Sequence, residues 1–251
     1  MARRLIPLMA ALPVAGAMAF VFLVWQFGAT FFDLPTYILP RPIDIVTNIV
    51  ANSSLLAGAL AVTAKEVVLG FLVGGMLGLA IAIAMILVPP LEFGLMPLVV
   101  AINLAPSVAF VPLALIWFGV GIASKIAMAA LAVSFVVLLN ALSGLKRPEA
   151  DAINLLRSFG AGRLGIMWRL QLPAAMPSLV TGLRVGLARS TIVVIVAEML
   201  GAYAGLGQII YRSTAEVDTL NVWAAVFIAS LSSLLLYGIL VAVDRKLVWW
   251  R

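Results

Sequence analysis

Residues 126–160 read IAMAALAVSFVVLLNALSGLKRPEADAINLLRSFG. The first part, Ile126–Leu145, is 20 residues without a charge, the length a helix needs to cross the ~30 Å hydrocarbon core of a bilayer. Lys146-Arg147 then stops the apolar run. Pro148 suits a helix start, and Glu149 and Asp151 in the first turn complement the helix dipole. Gly160-Ala161-Gly162 breaks that helix, and a second short one is expected over Arg163–Gln171, ended by Leu172-Pro173. One membrane span followed by a polar helix-turn-helix outside the bilayer is the expectation for this stretch.

The same alternation of apolar runs and charged stops extends in both directions. Uncharged runs cover Leu5–Phe32, Val67–Leu91, Phe93–Ser124 and Thr219–Val243, and a further apolar stretch, Pro177–Gly201, is interrupted by Arg184, Arg189 and Glu198. With 65% hydrophobic and 10% charged residues among 251, a soluble globule is excluded, because its own surface could not be wetted. Runs this long can be satisfied in lipid only as helices. The expected fold is all-α, an integral membrane protein with six transmembrane helices. The apolar run after Arg3 and Arg4 continues well past Ala15-Gly16-Ala17, so it reads as a retained first span rather than a signal peptide.

Ten of the 16 basic residues fall on one side if the N-terminus is cytoplasmic: Arg3, Arg4, Lys146, Arg147, Arg157, Arg163, Arg169, Arg245, Lys246 and Arg251. The positive-inside rule then puts both termini in the cytoplasm, with Arg41, Lys65, Lys125 and Arg212 outside. The net charge of +6 is therefore topological and implies no nucleic-acid partner. Residues 35–54 lie outside, and Ile43, Ile45, Val46, Ile49 and Val50 have the spacing of an interfacial helix. The chain divides into a first helix with this interfacial segment, 1–54, and a transmembrane core, 55–251, carrying the cytoplasmic loop 146–173.

Charges within a span are costly and face protein or water. Arg184, Thr191 and Glu198 recur every seven residues, within about 40° of one another around a helix, and Arg184 and Glu198 are roughly 21 Å apart along it. They cannot pair with each other. Either they border a translocation path, together with Asn103, Pro106 and Ser107 in the proline-bearing third run, or they clamp neighbouring helices. That run reads equally as a broken helix lining the path or as a packing kink. Ser134 and Asn140 are expected to bond across to other helices, and Gly70, Gly74 and Gly78 to allow close packing.

No His and no Cys occur, which removes the usual nucleophiles, bases and metal ligands. Gly119–Lys125 lacks the order of a phosphate-binding loop. No ATP site, cofactor, metal site or enzymatic activity is expected in this chain.

The spacing from Gly160 through nine residues to Leu170-Gln171-Leu172-Pro173 resembles the signature loop of ABC importer permease subunits. Further motifs support the resemblance across most of the chain: Leu39-Pro40-Arg41-Pro42, Ala105-Pro106-Ser107, Thr181-Gly182-Leu183-Arg184, and Ala197-Glu198-Met199 with Gly205-Leu206-Gly207. They are similar to the nitrate/sulfonate/taurine branch, which includes permeases for pyrimidine precursors. The resemblance implies a type I, MetI-like bundle in a bacterial inner membrane, paired with a second permease copy or a paralogue. It also implies a cytoplasmic ABC ATPase dimer carrying ATP and magnesium, and a periplasmic or lipid-anchored solute-binding protein. The ATPase-coupling loop would use Glu149, Asp151, Asn154, Leu155, Leu156, Arg157, Phe159, Gly160, Leu170, Leu172 and Pro173. Asn154-Leu155-Leu156 stands where the family has Glu-Ala-Ala, so the usual acid is an amide here, while Arg157 keeps the basic position. The rival from another class is a self-sufficient secondary transporter or channel, which would leave this basic loop without a role.

Overall fold

The computed structural model describes residues 6–247, so Arg3, Arg4 and Arg251, used above for orientation, lie outside the described residues. The elements are α1 (Ile6–Phe31), α2 (Pro42–Ala51), α3 (Ser53–Leu87), α4 (Pro89–Leu104), α5 (Val111–Phe118), α6 (Ile122–Leu145), α7 (Ala150–Ser158), α8 (Arg163–Ile166), α9 (Leu172–Leu200), α10 (Leu206–Ala215) and α11 (Thr219–Leu247). The fold is all-helical over the described residues. Four helices there are long and apolar enough to cross a membrane: α3, α6, the run Arg163–Leu200 and Thr219–Asp244 of α11. α1, Ile6–Phe31, is a further apolar helix of 26 residues.

The centre is a sandwich of α3, α6 and α9. Its closeness follows from glycine. A Cβ at Gly74 would sit 2.5 Å from the Ala130 carbonyl oxygen, and one at Gly78 2.4 Å from that of Ser134. With no apolar driving force between helices in lipid, such backbone contact is what holds them. On the other face of α6, a Cβ at Gly182 of α9 would meet the Asn140 Cβ at 2.7 Å. Val133, Val137, Leu138 and Leu145 of α6 are consequently buried, whereas α11 leaves Leu231, Leu234, Leu235 and Ile239 exposed, as a lipid-facing helix does.

Four expectations need correction, and one open reading is decided. The apolar run Phe93–Ser124, read equally as a broken helix or a packing kink, is broken: α4 and the run Ser107–Phe118 meet at 93°. Pro106 has no N–H to continue the helix, and it holds Ala105 extended (φ −69°, ψ 137°), as the residue before a proline prefers. Leu172-Pro173 does not end the second short helix. A π-turn over Met167–Gln171 joins α8 to α9 without a break, and its wide hydrogen-bond spacing accommodates the proline ring. The second span begins at Ser53 rather than Val67, with Lys65 and Glu66 inside α3. Lys125 is not a loop residue but lies wholly buried in the first turn of α6. Finally, Ser134 and Asn140 bond back to their own helix, to the carbonyls of Leu131 and Val136, each at 2.8 Å. The glycine contacts on both faces of α6 leave those side chains no nearer partner than the preceding turn.

Candidate functional site

At the end of the bundle bearing α7, the side chains bond helix ends together. Gln171 donates to the Leu145 carbonyl at 3.3 Å, and Arg163 to that of Leu87, also at 3.3 Å. These are the orphan carbonyls that close α6 and α3. Lys146 pairs with Glu92 of α4. The base of the elbow is therefore tied to three helices. Its tip is bare: Leu155 is 58% and Phe159 79% exposed, and Glu149, Asp151, Asn154 and Arg157 are exposed around them. Ile153 and Leu156 turn half-inward. Gly160 ends α7 at φ +80°, a left-handed conformation that glycine adopts without penalty. Leu170, Leu172 and Pro173 lie apart from that tip, in the π-turn and the start of α9, with Leu172 packed on the core.

The opposite end holds a buried polar node. Glu198, 1% exposed, accepts hydrogen bonds from Thr63 Oγ1 and from the Gly207 N–H, both at 2.7 Å. Thr63 also accepts from the Leu206 N–H at 2.9 Å. A Cβ at Gly205, where φ is +119°, would stand 2.2 Å from Glu198 Oε1, and one at Gly207 2.2 Å from the Ile195 carbonyl oxygen. The spacing Glu198…Gly205-Leu206-Gly207 is thus one contact: the carboxylate occupies the space that side chains would fill. Glu66 lies beside it, with Oε2 buried and unpartnered among the described residues. Lys125 Nζ donates to the carbonyls of Val120, Gly121 and Gly201, tying the α5–α6 turn to the end of α9.

Between these ends, Arg184 pairs with Asp244 of α11, and Thr191 is buried against α11, 3.5 Å from the Ser233 hydroxyl. Each member of the stripe Arg184–Thr191–Glu198 is therefore engaged with another part of the chain. Asn103, Pro106 and Ser107 gather at the 93° break instead, and Asn103 Oδ1 accepts from Arg189 Nη1 at 3.2 Å. Sequence reasoning missed Thr63, Glu66, Lys125, Asp244 and the role of Arg189. A signal for the first two was present: Thr63, Glu66, Gly70, Gly74 and Gly78 follow one another at helical spacings of three and four, so the polar pair continues the glycine face. Among the described residues, no cluster of three or more acids could hold a metal ion.

An all-helical membrane bundle, braced internally and presenting a bare amphipathic elbow on one face, defines a polytopic subunit that works with another protein. The chain belongs to the family of binding-protein-dependent transport system inner membrane components, whose profile matches residues 70–249. It is 31% identical to the formylaminopyrimidine transport permease of Halalkalibacterium halodurans over 229 residues, 91% of each chain. It is 30% identical to the taurine transport system permease of Escherichia coli over 243 residues, 94% of this chain and 88% of that one. The inward-facing MetNI methionine ABC transporter shares the fold, with a TM-score of 0.57 at 18% identity, covering 76% of this chain and 98% of its own. This protein is accordingly an inner-membrane permease component of an ABC importer, with transport dependent on an ATPase and a binding protein. It is the non-catalytic component and carries no cofactor.

Proposed function

We propose that two copies of this chain, or one with a paralogue, enclose a path for a small solute and are driven from the cytoplasm through α7. In this reading α1, α3, the broken α4–α5 unit, α6, α9 and α11 make six spans, with both termini and the elbow cytoplasmic. Within 1–54 lie the first span and an external interfacial helix, and within 55–251 the transmembrane core. A dimer of ABC ATPases, holding the ATP and magnesium, receives the elbow, and an external binding protein delivers the solute. The solute is a small sulfonate, taurine-like or nitrate-like anion, or a pyrimidine precursor; relatives named for taurine, aliphatic sulfonates and formylaminopyrimidine support all of these but the nitrate-like case. Asn103, Pro106 and Ser107 border the path, while Arg184, Thr191 and Glu198 hold its walls.

The observation that carries the coupling role is the contrast within loop 146–173. Its base is bonded to the ends of α3 and α6, while Leu155 and Phe159 are uncovered at its tip. A lever with a fixed root and an apolar tip transmits force only if a partner grips the tip. Gly160→Pro tests this, because proline cannot adopt φ +80° and is fixed near −65°. The variant is expected to insert in the membrane at normal levels and to lose co-purification with the ATPase. Retention of the intact complex would contradict the docking role. Solute uptake into proteoliposomes lacking any ATPase would make the chain a self-sufficient transporter or channel instead.

A further inference from the structure

Arg189 lies 11 residues from the end of α9 at Leu200, about 16 Å along the axis at 1.5 Å per residue, which is half the depth of a ~30 Å hydrocarbon core. It is exposed, and so are its neighbours on that face, Val185 at 46% and Ile192 at 60%. An arginine at that depth does not face lipid without cost; it faces protein, water or a polar cargo. Among the described residues no carboxylate lies within 4 Å of it. Its hydrogen bond there goes to Asn103, and a guanidinium has five N–H donors to satisfy.

A second, independent feature converges on the same place. Asn103 and Ser107 flank the 93° break between α4 and the run leading into α5, and with Arg189 they line a small recess closed by Phe110, Leu131 and Phe135. Irregular backbone at membrane depth is tolerated only where protein buries it or where it borders a watered cavity. A mid-depth cation with spare donors and a broken helix thus open on one face of the chain.

We propose that Arg189, with the Asn103 amide and the Ser107 hydroxyl, forms an anion-recognition point in the translocation path, and that the solute carries an oxyanion group such as a sulfonate or carboxylate. This rests on the reading of the chain as one wall of such a path, and narrows its solute to anions. A guanidinium fork matches a planar or tetrahedral oxyanion through two parallel N–H donors. Val185 and Ile192 flank it with apolar surface, which strengthens that contact by excluding water. Arg189 is a specificity residue in this scheme, while Arg184, already paired with Asp244, is not.

The chain has no cysteine, so Ser107→Cys places a single thiol in it. The test uses the assembled transporter in nanodiscs, with cysteine-free ATPase and binding protein, during ATP turnover. The thiol is labelled with 2-sulfonatoethyl methanethiosulfonate, itself a sulfonate, or with the cationic trimethylammonioethyl reagent, each rate normalised to reaction with free mercaptoethanol. The anionic reagent is expected to react ~10-fold faster, the lower end of what a one-sign cleft gives. Arg189→Gln should bring the ratio near one, and Arg189→Lys should keep most of the preference. Absence of an anion preference in the Ser107→Cys protein overturns the proposal, as does a preference unchanged in Arg189→Gln, or no labelling at any stage of turnover. An Arg189→Gln complex that falls apart also overturns it, since the guanidinium would then be holding subunits together. Binding-protein-stimulated ATP hydrolysis in the unsubstituted complex separates the two levels. Hydrolysis there, with no anion preference in the labelled protein, sinks this inference alone, whereas an unsubstituted chain that never associates with an ATPase sinks the importer reading beneath it.

Discussion

The two ends of the bundle solve opposite problems. At the α10 end, Glu198 is 1% exposed and both its oxygens accept bonds from within the chain, and the buried Lys125 closes three carbonyls. At the α7 end, Phe159 is 79% exposed and Leu155 58%, although the root beneath them is tied to α3 and α6. Where a polar group in this protein is satisfied by its own chain, its role is to hold the bundle in shape. Where apolar side chains are left bare beyond the membrane region on a braced support, a second protein is implied, since exposed apolar patches on an ordered element mark interaction sites.

The contrast predicts which variants cost stability and which cost only partnership. The largest effect is expected at Glu198→Ala, which orphans both the Gly207 N–H and the Thr63 hydroxyl. Two buried donors left without an acceptor, at about 1–3 kcal/mol each, should lower the melting temperature of the purified permease in detergent markedly. An unchanged melting temperature would mean that the node is not structural. A smaller loss, about 1–3 kcal/mol for an unsatisfied buried partner, is expected for Arg184→Gln, because Asp244 stays buried without its cation. Arg184→Gln combined with Asp244→Asn should recover part of that stability. If the double variant is no better than the single, the pair is not the clamp joining α9 to α11.

How much of this was legible in the sequence depended on what sets each feature. The α6 span and the helix over 150–158 follow from length, charge and helix-start signals that act locally, so they were readable. So was the glycine ladder of α3, because spacing alone puts Gly70, Gly74 and Gly78 on one face. The reading failed where a distant partner decides. Charges were taken as the ends of spans, yet Glu66 and Lys125 are buried, because Glu198, the Gly201 carbonyl and the α5–α6 turn approach them from elsewhere in the chain. Pro173 looked like a stop, but the π-turn before it absorbs the ring. Pro97, Pro106 and Pro112 could not be ranked as kink or break from sequence. Pro97 and Pro112 lie inside or at the start of helices, and the break falls at Pro106. Arg189 was visible as a charge, but its meaning depends on its meeting with Asn103 across 86 residues.

The most direct test of the coupling claim places a benzophenone photocrosslinker at Phe159 in the assembled transporter in native membranes. The account predicts an adduct with the ATPase subunit, in high yield and dependent on an intact α7. Adducts with lipid alone, or labelling of that position from the external face of sealed vesicles, would contradict it.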